Sequence, residues 1–221
     1  MRRDPVVLRT SMTVTAAVLA VLAGVTGCGH IQMGSAAIVG SQGISSATLT
    51  SQVNDLTAAY HRANGAIRLQ FPLSQAPQQV LGWLVRFRVR DEMAARNHIT
   101  VTRAETEAVQ AAVNAQARQN QTSTDGLLVA NGLPPDLLPQ LSRYQAIELA
   151  LVRRLNGGQL PTSQAALAIL GRQLGAAQCR AAKSLAIRIN PQFGRRGALA
   201  VGVTAADPAV LGRIPGAAGR Q

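Results

Sequence analysis

The sequence predicts a mainly α domain, and three observations carry that reading. Hydrophobic residues make up 47% of the chain but aromatic residues only 3%. A core built from Ala, Val and Leu suits helix-on-helix packing better than a β-sandwich, whose inner faces want β-branched and aromatic side chains. Apolar residues recur at helical spacing in successive stretches, each opened by a capping residue or a proline and most closed by Asn or Gly. Period-two alternation is confined to the two ends of this helical region, which predicts a small two-stranded sheet joining its N- and C-terminal ends.

The first strand candidate is Ala36-Ala37-Ile38-Val39-Gly40, followed by a turn at Ser41-Gln42-Gly43 and then Ile44. Ser45 or Ser46 is placed to cap a helix that runs to about Ala63, with Leu49, Val53, Leu56 and Tyr60 on one face. Asn64-Gly65 stops it. Pro72 and Pro77 frame the start of a second helix that reaches about Asn97. Its middle, Val80 to Val89, is apolar around most of the circumference, whereas a surface helix shows one stripe. It is either the central helix of the bundle or a helix with one face kept for a partner.

Thr102 and Glu105 stand in capping-box register and open a third helix to about Gln119, with a thin stripe of Val109, Ala112 and Val113. A brief helical piece starts at Asp125 and ends at Asn131-Gly132. Pro134-Pro135 restart the chain into a helix to about Leu155, with Leu141, Tyr144, Ile147, Leu151 and Leu155 aligned. After Asn156-Gly157-Gly158, Thr162 or Ser163 caps a last long helix carrying Leu167, Leu170, Leu174, Ala181 and Leu185. The helical pattern fails at Ala186-Ile187-Arg188-Ile189-Asn190-Pro191, where Ile187 and Ile189 alternate as a strand closed by proline. This strand is the natural mate of Ile38-Val39. Residues 195–221, rich in Gly, Ala, Pro and Arg, are expected to form a flexible tail.

The N-terminus carries an address. Arg2, Arg3 and Arg9 precede a weakly apolar run from Met12 to Gly27 that ends Val25-Thr26-Gly27-Cys28. A charged start, a short apolar segment and a small-residue cleavage site form an export signal, and the run is too short and too rich in Ala, Thr and Gly to favour a spanning helix. The Cys directly after the small residue resembles the lipobox of bacterial lipoproteins; an ordinary secretory signal that contains a Cys is the other reading. The resemblance implies cleavage between Gly27 and Cys28, with a diacylglycerol on the Cys28 thiol and an N-acyl chain on its amine. The expected organisation is signal peptide 1–27, tether 28–35, helical domain 36–194 and tail 195–221. The expected location is the extracytoplasmic face of the cell membrane, held by the lipid anchor.

Net charge is +12, and the leader's three Arg and Asp4 leave +10 on the mature chain. Such a charge suits nucleic acid or an anionic membrane surface. An exported lipoprotein meets little nucleic acid, so the lipid headgroups are the expected partner and nucleic acid is not. Cys28, once lipidated, leaves Cys179 with no partner in the chain. By helical geometry Cys179 lies nearly opposite the Leu167–Leu174–Ala181 stripe, either buried against another neighbour or open to pairing with a second chain.

The order of parts resembles the N-terminal domain of the SurA and PrsA type of extracytoplasmic chaperones. In that family a short strand and turn run into the first helix, much as Val39-Gly40-Ser41-Gln42-Gly43-Ile44-Ser45 does here, with Gly43 departing from the usual residue. A helix opened by "I-x-V-(T/S)-x-x-E" is matched by Ile99 to Glu105. Small actinobacterial lipoproteins carrying such a domain alone end in a strand similar to Ile187-Arg188-Ile189-Asn190-Pro191-Gln192-Phe193-Gly194. The resemblance covers residues 36–194 and implies chaperone-like binding of unfolded or envelope polypeptides. The alternative is a structural or adaptor lipoprotein with one dedicated envelope partner.

Signals for catalysis are weak. PrsA-type chains often append a parvulin prolyl isomerase, but the residues after the third helix read as helical and lack its opening strand and Gly-rich turn. His30, His61 and His98 have no second ligand at i+3 or i+4, which argues against a metal site. No Gly-x-Ser-x-Gly elbow, Ser-x-x-Lys pair or phosphate-cradling loop occurs. Asp91-Glu92 and Glu105 with Glu107 read as solvated helix faces, so no enzyme activity and no cofactor are expected. Trp83, Leu84 and Phe87 on the second helix are the candidate polypeptide-binding residues, because shallow apolar contact tolerates many sequences. The same three residues suit the core of a bundle short of aromatics.

Overall fold

A computed structural model describes residues 34–194. The leader 1–27, the Gly27–Cys28 cleavage and lipidation site, the tether up to residue 33 and the tail 195–221 lie outside the described residues. Strands β1 (Ser35–Val39) and β2 (Gln42–Ser45) form a hairpin that leads directly into α1 (Ser46–Arg62). A 3-10 turn at Leu73–Gln75 opens α2 (Ala76–Arg96). Helices α3 (Arg103–Gln119) and α4 (Thr124–Ala130) follow, then a 3-10 turn at Pro135–Leu137 and α5 (Leu138–Leu155). Last come α6 (Gln164–Ser184), β3 (Arg188–Ile189) and a 3-10 turn at Pro191–Phe193. The fold is mainly α with a small sheet, as the composition predicts.

The sheet has three strands in the order β2-β1-β3, not the expected two. β3 pairs antiparallel with β1 as expected, Ala37 opposite Ile189 and Ile38 opposite Arg188. The addition is β2, where a turn at Ser41-Gln42-Gly43 was expected. The loop is shorter than that: Val39 pairs with Gln42, leaving Gly40-Ser41 as the connection. Gly40 takes φ +61° with Ser41 on the negative side, the type II′ pattern that matches strand twist. Ser35, the last residue of the expected tether, is instead the first residue of β1 and is buried.

Asn190 explains how the two chain ends are tied. Its backbone N–H donates to the Ala36 carbonyl (2.9 Å) and its Nδ2 to the Ser35 carbonyl (3.2 Å). Its Oδ1 accepts from the Gln192 N–H and starts the turn over Pro191. The Asn-Pro element is therefore a clasp between the first and last strands.

Of the two readings of the second helix, the central one holds. Val80, Leu81, Leu84, Val85, Phe87, Val89, Arg90 and Met93 are all buried, which no single stripe could achieve. The helix packs against α1, α5, α6 and β1. Each fully buried Leu or Val on it contributes about 1.5–3 kcal/mol. The caps fall where the sequence puts them: Ser45 for α1, Thr102 with Glu105 for α3, Ser163 for α6. Each satisfies a backbone N–H that the helix itself leaves bare. The expected stripes are buried at Leu49 and Leu56, at Val109 and Val113, at Leu141 to Leu151 and at Leu167 to Ala181. Leu155 departs from its stripe and stands 47% exposed at the end of α5.

Candidate functional site

A groove of about 400 Å³ opens between the β2–α1 junction on one side and α2 and α5 on the other. α2 contributes Leu84, Phe87, Arg88 and Asp91, spaced so that they form one face of the helix. Across from them stand Gly43, Ile44 and Ser45 of β2 with Thr48 and Gln52 of α1. Leu137 and the first turns of α5, with Gln140, Arg143 and Tyr144, close the remaining side. Leu84, Phe87, Ile44 and Leu137 are largely buried and make an apolar floor, while Arg88, Gln140 and Arg143 are exposed at the rim.

The rim charges are unevenly partnered. Arg143 Nε donates to Asp91 Oδ1 at 3.1 Å across the α2–α5 boundary. Arg88 has no ion pair or hydrogen bond among the described residues. Gln52 Nε2 donates to Asp136 Oδ2 at 2.8 Å, which fixes the amide and leaves its buried Oε1 without a donor.

Tyr144 links the groove to a buried polar cluster beneath it. Arg90, fully buried on α2, donates from Nη2 to the Tyr144 hydroxyl (2.8 Å) and to Gln178 Oε1 of α6 (3.1 Å). The same nitrogen lies 3.3 Å from Glu148 Oε2 of α5, and the guanidinium stacks over the Tyr144 ring at 4.4 Å. An isolated charge could not be held there; the carboxylate and the hydrogen bonds together make its burial tolerable. This cluster joins α2, α5 and α6 behind the groove wall.

The three candidate binding residues are divided. Leu84 and Phe87 do line the groove. Trp83 is not among the residues that line it. It immediately precedes Leu84 and is turned about 100° from it around the helix, where its Nε1 donates to the Asn131 carbonyl beyond α4 (3.1 Å) and Arg86 covers its ring at 4.6 Å. Trp83 touches two lining residues, Phe87 in a tilted contact at 5.9 Å and Tyr144 edge-on at 6.4 Å between ring centroids. Asp91 and Glu92 are paired as solvated faces, and Glu105 serves its cap. Backbone and hydroxyl donation from Thr102, with Arg153 nearby, hold the Glu105 carboxyl below its ordinary range.

Sequence reasoning did not find Arg88, Arg143, Gln52 or the Arg90 cluster. Arg90 had a signal, since it continues the Trp83–Phe87 stripe at helical spacing and so lies in line with core residues. The others depend on contacts between distant segments and had none. Among the described residues no group of side chains is arranged to hold a metal, and no helix is long and apolar enough to cross a membrane.

A family model for the SurA-like N-terminal domain matches residues 2–136. The chain belongs to the SurA-like N-terminal domain family. The match takes in both motifs at the front of the domain, Val39 to Ser45 and Ile99 to Glu105, and the β2, α1 and α2 sides of the groove. The α5 side and the Asn190 clasp lie beyond it. Comparison with curated proteins and with solved structures returned no match. SurA-like N-terminal domains are chaperone-type modules, and polypeptides are the class of partner consistent with membership.

Proposed function

We propose that the protein is a lipid-anchored extracytoplasmic lipoprotein that binds unfolded or envelope polypeptides without catalysis. The groove is the observation that carries this reading. Its apolar floor of Ile44, Leu84, Phe87 and Leu137 offers non-directional contact, and its polar rim keeps the surface soluble when empty. A chain held this way is bound through features common to most unfolded segments. Family membership supports the same class of partner.

The anchor rests on the Val25-Thr26-Gly27-Cys28 sequence. Acyl chains on Cys28, together with the basic charge, would give stable attachment where a single chain is marginal. The protein would then work at the outer face of the cell membrane on chains emerging there. Replacing Cys28 with Ser is expected to leave the precursor uncut and unlipidated; unchanged processing and membrane retention would refute the anchor.

An aggregation assay tests the binding itself. At several-fold excess the protein slows aggregation of a chemically unfolded client, and failure to do so removes the chaperone-type reading. Crosslinking in cells separates it from the adaptor alternative: many client proteins support it, and one dominant partner favours the adaptor.

A further inference from the structure

We propose that the groove takes its polypeptide as an added β-strand on the outer edge of β2, and that it favours segments in which an apolar residue stands beside a carboxylate. The inference rests on the polypeptide-binding reading above and names how the chain is held and which chains are preferred.

The edge is set by register. The Asn190 N–H donates to the Ala36 carbonyl, so the even-numbered residues of β1 direct their backbone groups toward β3. Ile38 therefore faces away from β2, and its partner Gly43 has no ladder bonds to β1. The Gly43 N–H and C=O point outward along an edge that no other described strand covers. Gly43 also lines the groove, so a strand laid along this edge has its side chains over the groove floor. Backbone pairing of this kind gives affinity independent of sequence, and side-chain pockets then add preference. β2 is exposed at Gln42, Gly43 and Ser45 and buried only at Ile44, so the edge is accessible.

The preference follows from charge. Asp91 neutralises Arg143, whereas Arg88 projects from the same wall with no ion pair among the described residues. Asp136, held against Gln52, balances the rim as a whole, so the cationic character is local to Arg88, on a chain whose overall charge is +12. A carboxylate on the bound strand completes Arg88, and the field of the whole chain speeds its arrival. An apolar neighbour on the strand meets Ile44, Leu84 and Phe87.

The test uses the full chain in detergent and fluorescein-labelled peptides of alternating valine and threonine, with a central glutamate, glutamine or lysine. Fluorescence anisotropy reads affinity. The glutamate peptide binds more tightly than the glutamine peptide; Arg88→Gln abolishes that difference, and Arg88→Glu turns it in favour of lysine. Gly43→Pro removes an N–H that β1 does not use and weakens every peptide by about 3–10-fold. Peptides N-methylated at alternate amides make the same test from the ligand side, should Gly43→Pro fail to fold. Equal affinity for glutamate and glutamine peptides, or undiminished binding of both N-methylated registers, overturns the inference even if the protein still suppresses client aggregation. Loss of aggregation suppression as well takes the polypeptide-binding reading with it.

Discussion

Arg90 of α2 and Glu148 of α5 face each other across 3.3 Å in the middle of the domain, with side chains 0% and 3% exposed. The pair stands directly behind Tyr144, whose ring forms part of the groove wall and whose hydroxyl accepts from Arg90. The shape of the groove thus depends on a charge held in the core. Removing one partner strands the other, whereas removing both leaves an apolar contact.

Glu148→Leu is therefore expected to destabilise the domain by about 3–5 kcal/mol, because it leaves the Arg90 charge buried without its carboxylate. Arg90→Met combined with Glu148→Leu should recover most of that loss. Urea midpoints of the single and double variants measure it; simple addition of the two single effects would contradict the account.

Thr102 and Glu105 give a pH-dependent contribution of known sign. The Thr102 backbone N–H and hydroxyl both donate to Glu105 Oε2 at 2.8 Å and lower the carboxyl pKa in the folded state. A lowered folded pKa means the stabilisation is present above the unfolded pKa and is lost as pH falls through the folded one. Thr102→Ala should cost about 1 kcal/mol at neutral pH, and less in acid. It should also raise the Glu105 carboxyl pKa toward its ordinary value in a carbon-detected NMR titration. A variant whose deficit stays the same across that range would sink the assignment.

Asn190→Ala removes two side-chain bonds of the clasp and keeps the backbone bond to Ala36. The Ser35 carbonyl loses its side-chain donor, at an expected cost of about 1 kcal/mol. Asn190→Asp keeps the acceptor for the Gln192 N–H but sets a carboxylate oxygen against the Ser35 carbonyl, so its urea midpoint should fall no higher than that of Asn190→Ala. An unchanged midpoint in Asn190→Ala would show that the clasp does not hold the chain ends.

What the sequence made legible was local. Ser45, Thr102 and Ser163 cap helices because each is a short oxygen-bearing side chain placed before an apolar repeat, and that information is complete within a few residues. The Ile187–Ile189 alternation likewise marked a strand and its mate. β2 was missed because a four-residue strand with one buried residue, Ile44, carries almost no period. Its existence depends on Gly40 closing a two-residue turn. The groove was only partly legible. Leu84 and Phe87 were visible as an apolar face, but Gln52, Arg88 and Arg143 acquire meaning only when α1, α2 and α5 meet. Trp83 was visible by its size and spacing, whereas its bond to the Asn131 carbonyl, far along the chain, had no local signal.

A photoreactive residue in the groove tests the central claim most directly. With p-benzoylphenylalanine in place of Gln140, an exposed rim residue, the protein should crosslink to a client in its chemically unfolded form and not in its folded form. The same probe in place of Arg172, exposed on α6, should give neither product. Equal crosslinking from both positions, or none from Gln140 while the client is protected from aggregation, would contradict the groove as the binding site.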